Sequence, residues 1–394
     1  MNISVRTKPA MRVEAGQALV DGHIGPATIE VDGGLIASVD GSAGAAARRF
    51  RADGLLVLPG IVDIHGDAFE RQMMPRPGVG FPLDIAFVES DRQAIANGIT
   101  TVFHGLTWSW EPGLRGSDNA RAVLACLERM GPQLAADTRI HLRHETYNLD
   151  AEDEIVGWLA ARRIHALAFN DHMDIALAST GRAHKLNPMV ERSGLTREEF
   201  LTLVERTHAR GGDVPASIAR LARAAVAAGI PLLSHDDTSP EQRAWFRDLG
   251  CKIAEFPTTI ETARAAAQAG DAIVLGAPNV VRGGSHTGWT KAADMVGLGY
   301  CSILASDYYY PAPLVAPFRL AADGVAPLHE AWQLVSASPA AAAGLTDRGS
   351  IAAGQRADVI FVDAADPLRP RLVATMVAGR LAYLADANRL GAQP

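Results

Sequence analysis

A histidine and an aspartate two residues apart, His65 and Asp67, close an apolar run that begins at Leu55. The stretch Leu58-Pro59-Gly60-Ile61-Val62-Asp63-Ile64-His65-Gly66-Asp67 reads as a strand buried on both faces. Residues i and i+2 of a strand project to the same side, so the two ligand-type side chains leave one strand end together. Imidazole and carboxylate are ligands of divalent metal ions. Alone, the pair reads equally well as a core histidine beside a turn aspartate. Other strand candidates end alike: His144-Glu145 closes 139–145, Asp171-His172 follows 164–170, His235-Asp236-Asp237 closes 230–235, and Asp307 follows 301–306. A single strand-end His or Asp is more often a cap or turn residue. Five such ends around one axis would repel or strand one another without a cation, and deprotonated N and O donors are what a divalent ion needs. Glu145 could bridge two ions, roughly 3.5–4 Å apart in two-metal sites. Neighbours on a strand face opposite ways, so His144 and Glu145 compete for the inward position.

These residues converge only if the strands that carry them lie side by side. Strand candidates at 55–65, 100–106, 139–145, 164–170, 230–235, 251–256, 271–276 and 301–306 alternate with helical stretches at 88–97, 118–130, 197–210, 215–228, 239–249, 259–269 and 328–343. Alternation of this kind implies parallel βα units. About eight of them imply a (β/α)8 TIM-type barrel, with chemistry at the C-terminal strand ends. Short β-type pieces flank the barrel at both chain ends, and Asp32-Gly33-Gly34 is a hairpin signal. The expected organisation is a small β domain from residues 1–57 and 350–394 around a hydrolase barrel over 58–349. The Trp108-to-Gly113 segment breaks the pattern; Trp108 and Trp110 read as loop anchors, and the Tyr308-Tyr309-Tyr310 run as wall packing with one ring at the pocket.

Composition narrows the function. A net charge of −7 argues against general affinity for nucleic acid or membrane, though not against a local basic pocket. Three cysteines far apart, Cys126, Cys251 and Cys301, exclude a disulfide scaffold and fit a reducing compartment. No signal-type h-region or membrane-length apolar run is present, so a cytoplasmic location is expected. There is no P-loop, no G-x-G-x-x-G after a strand and no G-x-S-x-G elbow.

The opening Leu-Pro-Gly-Ile-Val-Asp-Ile-His run, the later His, His and Asp, and the closing Gly354-Gln355-Arg356-Ala357-Asp358-Val359 segment resemble the amidohydrolase superfamily along essentially the whole chain. A narrower match follows from His65-Gly66-Asp67, Pro75-Arg76-Pro77-Gly78-Val79, Arg143-His144-Glu145, Asp171-His172, Ser234-His235-Asp236-Asp237, Asn279-Val280-Val281-Arg282-Gly283-Gly284-Ser285-His286 and Ala305-Ser306-Asp307-Tyr308-Tyr309. These resemble the PhnM family of α-D-ribose 1-methylphosphonate 5-triphosphate diphosphatases. The chain departs from that family's pattern at 173–190, on the rim where substrate is held.

The resemblance implies two divalent metal ions, Zn, Mn or Fe. It implies that His65, Asp67 and Asp307 hold one, that His172 and His235 hold the second, and that Glu145 bridges them. Asp307 would also take the proton from the attacking water. Arg76 and Arg282 can each present a planar fork to phosphate oxygens. Gly283, Gly284 and Ser285 could form an anion nest beside Asn279. His286 could donate to the departing pyrophosphate, and Lys185 is a further candidate. The partner expected is a phosphorylated sugar, with a homodimer possible. An amidohydrolase cutting a C–N bond, in an N-acyl amino acid or cyclic amide, is the alternative; two arginines with a Gly-Gly turn favour the polyanion. A non-catalytic scaffold would lack ligands, and none of the six is missing.

Overall fold

The computed structural model describes residues 10–41, 48–179, 183–284 and 291–393. Eight short, almost wholly buried strands form the centre: β5 (Ile61–Gly66), β6 (Ile99–Trp108), β7 (Asp137–Glu145), β8 (Ala166–Asn170), β9 (Leu232–His235), β10 (Ile253–Glu255), β11 (Ala272–Gly276) and β12 (Ile303–Ala305). They pair in sequence order and in parallel. A parallel bridge between Gly66 and Asp307 closes β12 onto β5. At that seam Asp67 N donates to Asp307 O at 2.7 Å and Asp307 N to His65 O at 2.9 Å. The strands are apolar because both faces are covered: helices pack outside, while Val62, Ile64, Phe103, Ala168, Leu233 and Val274 fill the barrel floor.

The second sheet joins β1 (Met11–Val20), β2 (His23–Asp32), β3 (Leu35–Val39) and β4 (Arg48–Pro59) to β13 (Val359–Asp363), β14 (Arg371–Val377), β15 (Arg380–Leu384) and β16 (Gly391–Gln393). Both chain termini therefore build one sheet, and the Gly33-Gly34 turn between β2 and β3 has both glycines at positive φ.

Two elements that the sequence reads as continuous are divided. The strand expected over 55–65 is two: β4 ends at Pro59 in the outer sheet and β5 begins at Ile61 in the barrel. Gly60 passes between them because a Cβ there would lie 2.4 Å from Thr100 Oγ1. The helix expected over 328–343 is split into Leu328–Gln333 and Ala337–Ala342, the second carrying Pro339 in its first turn, where a missing N–H is tolerated. The divergent 173–190 stretch is helical, as Met173–Ser179 and Ala183–Ser193. Cys126, Cys251 and Cys301 are buried and free. Among the described residues no helix is long and apolar enough to cross a membrane.

Asp137, at the start of β7, ties the chain's return to the barrel. Its Oδ2 lies 3.0 Å from Arg139 Nη2, 2.6 Å from Arg348 Nη1 and 3.3 Å from Arg356 Nη1. Burial would raise this carboxyl, but the hydrogen bond from Arg139 and the Arg139 and Arg348 charges hold it down at about 2. A folded pKa below the unfolded one stabilises above pH 4 and ceases to do so as pH falls through 2. Asp137→Asn is therefore expected to cost about 2 kcal/mol at pH 7. Urea unfolding should show the gap from the parent closing as pH drops from 4 towards 2.

Candidate metal centre

The site begins with an irregularity in β5. Ile64 packs into the inner aliphatic layer, yet the next residue, His65, also faces inward. The β5–β6 register shifts between Asp63 and Gly66, which lets two consecutive side chains point to one side. Buried Asp63 takes the groups this frees: its carboxylate accepts from His65 N at 3.3 Å, Ser306 N at 3.0 Å and Ser306 Oγ at 2.5 Å. Asp63 thus fixes β5 and the residue before Asp307 against each other.

Glu255, at the end of β10 and wholly buried, organises two imidazoles. Oε1 lies 2.9 Å from His65 Nδ1 and Oε2 lies 3.2 Å from His235 Nδ1. A carboxylate only accepts, so each Nδ1 carries a proton and each Nε2 is turned towards the pocket. The rings are near-parallel, with centroids 5.6 Å apart, and Phe256 meets both edge-on at 5.0 and 5.3 Å. His65 Nε2 is 3.4 Å from Asp67 Oδ1. His235 Nε2 is 3.3 Å from Arg143 Nη2 and 3.6 Å from Asp236 Oδ2. Arg143 also pairs with Asp67, so its guanidinium stands between two groups of ligand-type atoms.

On β7 the alternation His141, Arg143, Glu145 points inward. Glu145 Oε1 lies 2.6 Å from His172 Nδ1, and Oε2 accepts from His172 N at 3.2 Å. His144 faces the other way, buried edge-on to Phe169, and burial pulls it down to about 4. Glu145 is therefore the pocket-side member of the pair. His144→Leu is expected to leave turnover within about threefold of the parent and stability unchanged or higher, since an apolar replacement suits a buried neutral ring. Parallel thermal unfolding and activity measurements check this.

Charge at the site fits a cation. Burial disfavours a charged His65, but the carboxylates of Glu255 and Asp67 overcome it and raise His65 to about 10. Burial would lift Glu145 too, yet His172, Arg115 and Arg143 hold it at about 2. Burial pushes Asp307 up to about 6. The negative charge that raises His65 also suits a metal ion there, and the donors around it are those of a His and carboxylate site. His65, Asp67 and Asp307 place one donor each within 4.8 Å of one another, as do His172, His235 and Asp236, and His65, His141 and Glu255. Three strand ends leave in the left-handed region, at Asp236 (φ 59°), Phe256 (φ 52°) and Asp307 (φ 53°), backbone strain of the kind that collects at functional sites.

The remaining candidates are scattered. Asn279 and Asp307 both border Gly276: a Cβ built there would lie 3.2 Å from Asp307 Oδ2 and 3.7 Å from Asn279 Nδ2. Arg282 Nη1 donates to Tyr308 Oη at 3.2 Å. Arg76 lies on an exposed loop, bridged through its backbone to Val79. The anion nest expected at Gly283-Gly284 is a helix cap instead. Gly283 N donates to Val280 O at 3.2 Å and Gly284 N to Asn279 O at 3.0 Å, so these N–H groups are spent on the last turn's carbonyls. Ser285, His286 and the Lys185 side chain lie outside the described residues. Trp108 is the last residue of β6 and packs on Trp158 at 4.6 Å; Trp110 packs on Phe200 at 5.9 Å and also lines the cavity beside Glu145 and His172, so neither is simply a loop anchor.

Asp63, His141, Arg143 and Glu255 were given no role in the site by sequence reasoning, although Glu255 lies on the strand read at 251–256 and Arg143 belongs to the Arg143-His144-Glu145 motif. For His141 and Arg143 the signal was present: counting back by two from Glu145 places both on its face. A cavity of about 120 Å³ adjoins the site, lined by Arg115, Glu145, His172, Ile175, Met189 and Arg192 among others.

A family model described as Amidohydrolase family matches residues 144–383. Over 360 residues the chain is 31% identical to the alpha-D-ribose 1-methylphosphonate 5-triphosphate diphosphatase of Escherichia coli (strain K12), covering 88% of this chain and 94% of that protein. It is 27% identical over 375 residues to an adenine deaminase of Methylobacterium sp. (strain 4-46), covering 92% of this chain and 56% of that protein. A solved dihydropyrimidinase from Brevibacillus agri NCHU1002 has the same fold, with a TM-score of 0.66 at 13% identity and 95% coverage of both chains.

Proposed function

Because the chain belongs to the amidohydrolase family, we propose that it is a metal-dependent hydrolase of a phosphate anhydride. The proposed substrate is ribose 1-methylphosphonate 5-triphosphate, cut to the 5-phosphate and pyrophosphate. The observation that carries this reading is the 31% identity to a diphosphatase of that substrate over nearly the full length of both chains.

In this reading His65, Asp67 and Asp307 would hold one ion, His172 and His235 would hold another, and Glu145, hydrogen-bonded to His172, would supply a further carboxylate. The ions, when bound, lower the pKa of water and neutralise charge on the attacked phosphate. The chain's residues do the rest. Glu255 keeps both Nδ1 atoms of His65 and His235 engaged, so neither ring can turn. Arg143 holds Asp67 in place. Asp307 accepts the proton of the attacking water; a carboxyl raised by burial is the better base for it. Water oxygen adds to the phosphorus nearest the sugar, that phosphorus loses its bond to the oxygen bridging to the next one, and pyrophosphate leaves with that oxygen and the bonding pair.

The test is to load the protein with Zn, Mn or Fe and offer it the triphosphate, following pyrophosphate, beside a panel of N-acyl amino acids and cyclic amides. Pyrophosphate release from the triphosphate is expected. Turnover of an amide with no pyrophosphate would replace the reading with C–N hydrolysis, the chemistry named for the deaminase relative.

A further inference from the structure

We infer that Arg71, Tyr308 and Arg282 form a subsite for the terminal phosphates of a polyphosphate chain, so that substrate lies with its phosphates over the barrel seam and its sugar beside His172. The inference rests on the phosphate-anhydride reading and adds a binding residue, Arg71, and a direction.

Arg282 Nη1 donates to Tyr308 Oη at 3.2 Å, and the Arg71 guanidinium lies over the same ring, 5.8 Å from its centroid. Two guanidinium groups are thus brought to one phenol. Tyr308 directly follows Asp307. Arg71 lies one turn after Asp67 on the helix Ala68–Met73, which follows β5, and Arg282 ends the helix Ala277–Arg282, which follows β11. The strand order β11-β12-β5 around the closed barrel makes these three segments neighbours above the seam.

Other arginines around the site are already paired. Arg143 is on Asp67, Arg115 lies 2.9 Å from Glu70, and Arg192 lies 2.6 Å from Glu111. Among the described residues no carboxylate comes within 4.0 Å of the guanidinium of Arg71 or Arg282, in a chain whose net charge is −7. Two like charges held on one ring repel; a dense polyanion turns that repulsion into attraction, and the planar forks suit phosphate oxygens.

The opposite flank of the site differs. The cavity of about 120 Å³ beside Glu145 and His172 mixes Ile175 and Met189 with Arg115 and Arg192, both engaged by carboxylates. It offers walls for a sugar and little uncompensated charge for a triphosphate tail. Unpaired positive charge at the seam and compensated charge at the cavity give the substrate one sensible orientation. The phosphorus nearest the sugar then falls near Asp307, and the departing pyrophosphate lies on Arg71 and Arg282.

The test is calorimetric binding of inorganic pyrophosphate to the metal-loaded protein and to Arg71→Met, Arg282→Met and Tyr308→Phe, with orthophosphate in parallel. Arg71 and Arg282 are exposed and Tyr308 half-buried, and circular dichroism of each variant is the control for folding. Each Arg→Met is expected to weaken pyrophosphate binding roughly 10-fold or more, the loss of one charge-assisted contact. Orthophosphate binding should move much less, and KM for the triphosphate should rise more than kcat falls. Pyrophosphate affinity unchanged in both arginine variants overturns the subsite, even if the parent releases pyrophosphate and the function stands. Weakened binding in the variants supports the subsite even if the triphosphate is not turned over and the functional reading falls.

Discussion

Asp307→Asn is expected to cut hydrolysis by roughly 10²–10⁴-fold, the range for losing a positioned general base, while leaving the protein folded. The fold is spared because what Asp307 does for the barrel it does with its backbone. Its N–H donates to His65 O, and its carbonyl accepts from Asp67 N at 2.7 Å and Ala68 N at 3.2 Å. Its left-handed backbone, φ 53°, is one that Asn adopts readily. The side chain is otherwise close to isosteric, so the loss falls on proton acceptance and on one anionic metal donor. Turnover at saturating metal, with thermal unfolding as control, reads the two apart. A variant that unfolds at the parent temperature yet retains a tenth of parental turnover would remove Asp307 from the role of base.

Glu255→Gln is expected to lower metal affinity by about 10–100-fold, the usual effect of losing a histidine's orienting partner, and two histidines depend on this one. The carboxylate accepts from His65 on one oxygen and His235 on the other. A glutamine has one accepting oxygen and one donating amide, so one imidazole would face a donor with its own Nδ1–H. That ring must then move its proton to Nε2, the atom turned towards the pocket, where it blocks a metal. Glu255 is fully buried, so water cannot repair the mismatch. Metal retained per chain after dialysis against a graded chelator measures the effect. Retention equal to the parent would mean that the histidine Nε2 atoms are not ligands.

Much of this architecture was legible in the sequence because most of the eight barrel strands are short apolar runs; five lead into the His, Asp or Glu residues first taken as candidates, and a sixth ends at Glu255. Period-2 logic correctly put His65 and Asp67 together and left one of His144 and Glu145 for the pocket. It failed where the backbone departs from the period. The register shift before Gly66 lets Ile64 and His65 face the same way, and nothing in Asp63-Ile64-His65 announces it; Asp63 becomes intelligible only once Ser306 is seen beside it. Glu255 stood at the end of a strand of three residues and looked like any rim carboxylate, since its partners lie 190 and 20 residues away in sequence. Gly283 and Gly284 carried a true turn signal with the wrong use: a Gly-Gly after a helix caps that helix as readily as it cradles an anion. Arg71 was passed over because a lone arginine on a short helix says nothing until Tyr308 and Arg282 arrive from two other strand ends.

The most direct test of the central claim is one turnover of ribose 1-methylphosphonate 5-triphosphate by the metal-loaded protein in ¹⁸O-labelled water, read by ³¹P NMR. Water attack at the phosphorus nearest the sugar predicts the label in the sugar 5-phosphate and none in pyrophosphate. Label in pyrophosphate would put the attack on the neighbouring phosphorus and contradict the placement of Asp307 against the first. An intact triphosphate would contradict the phosphate-anhydride account itself.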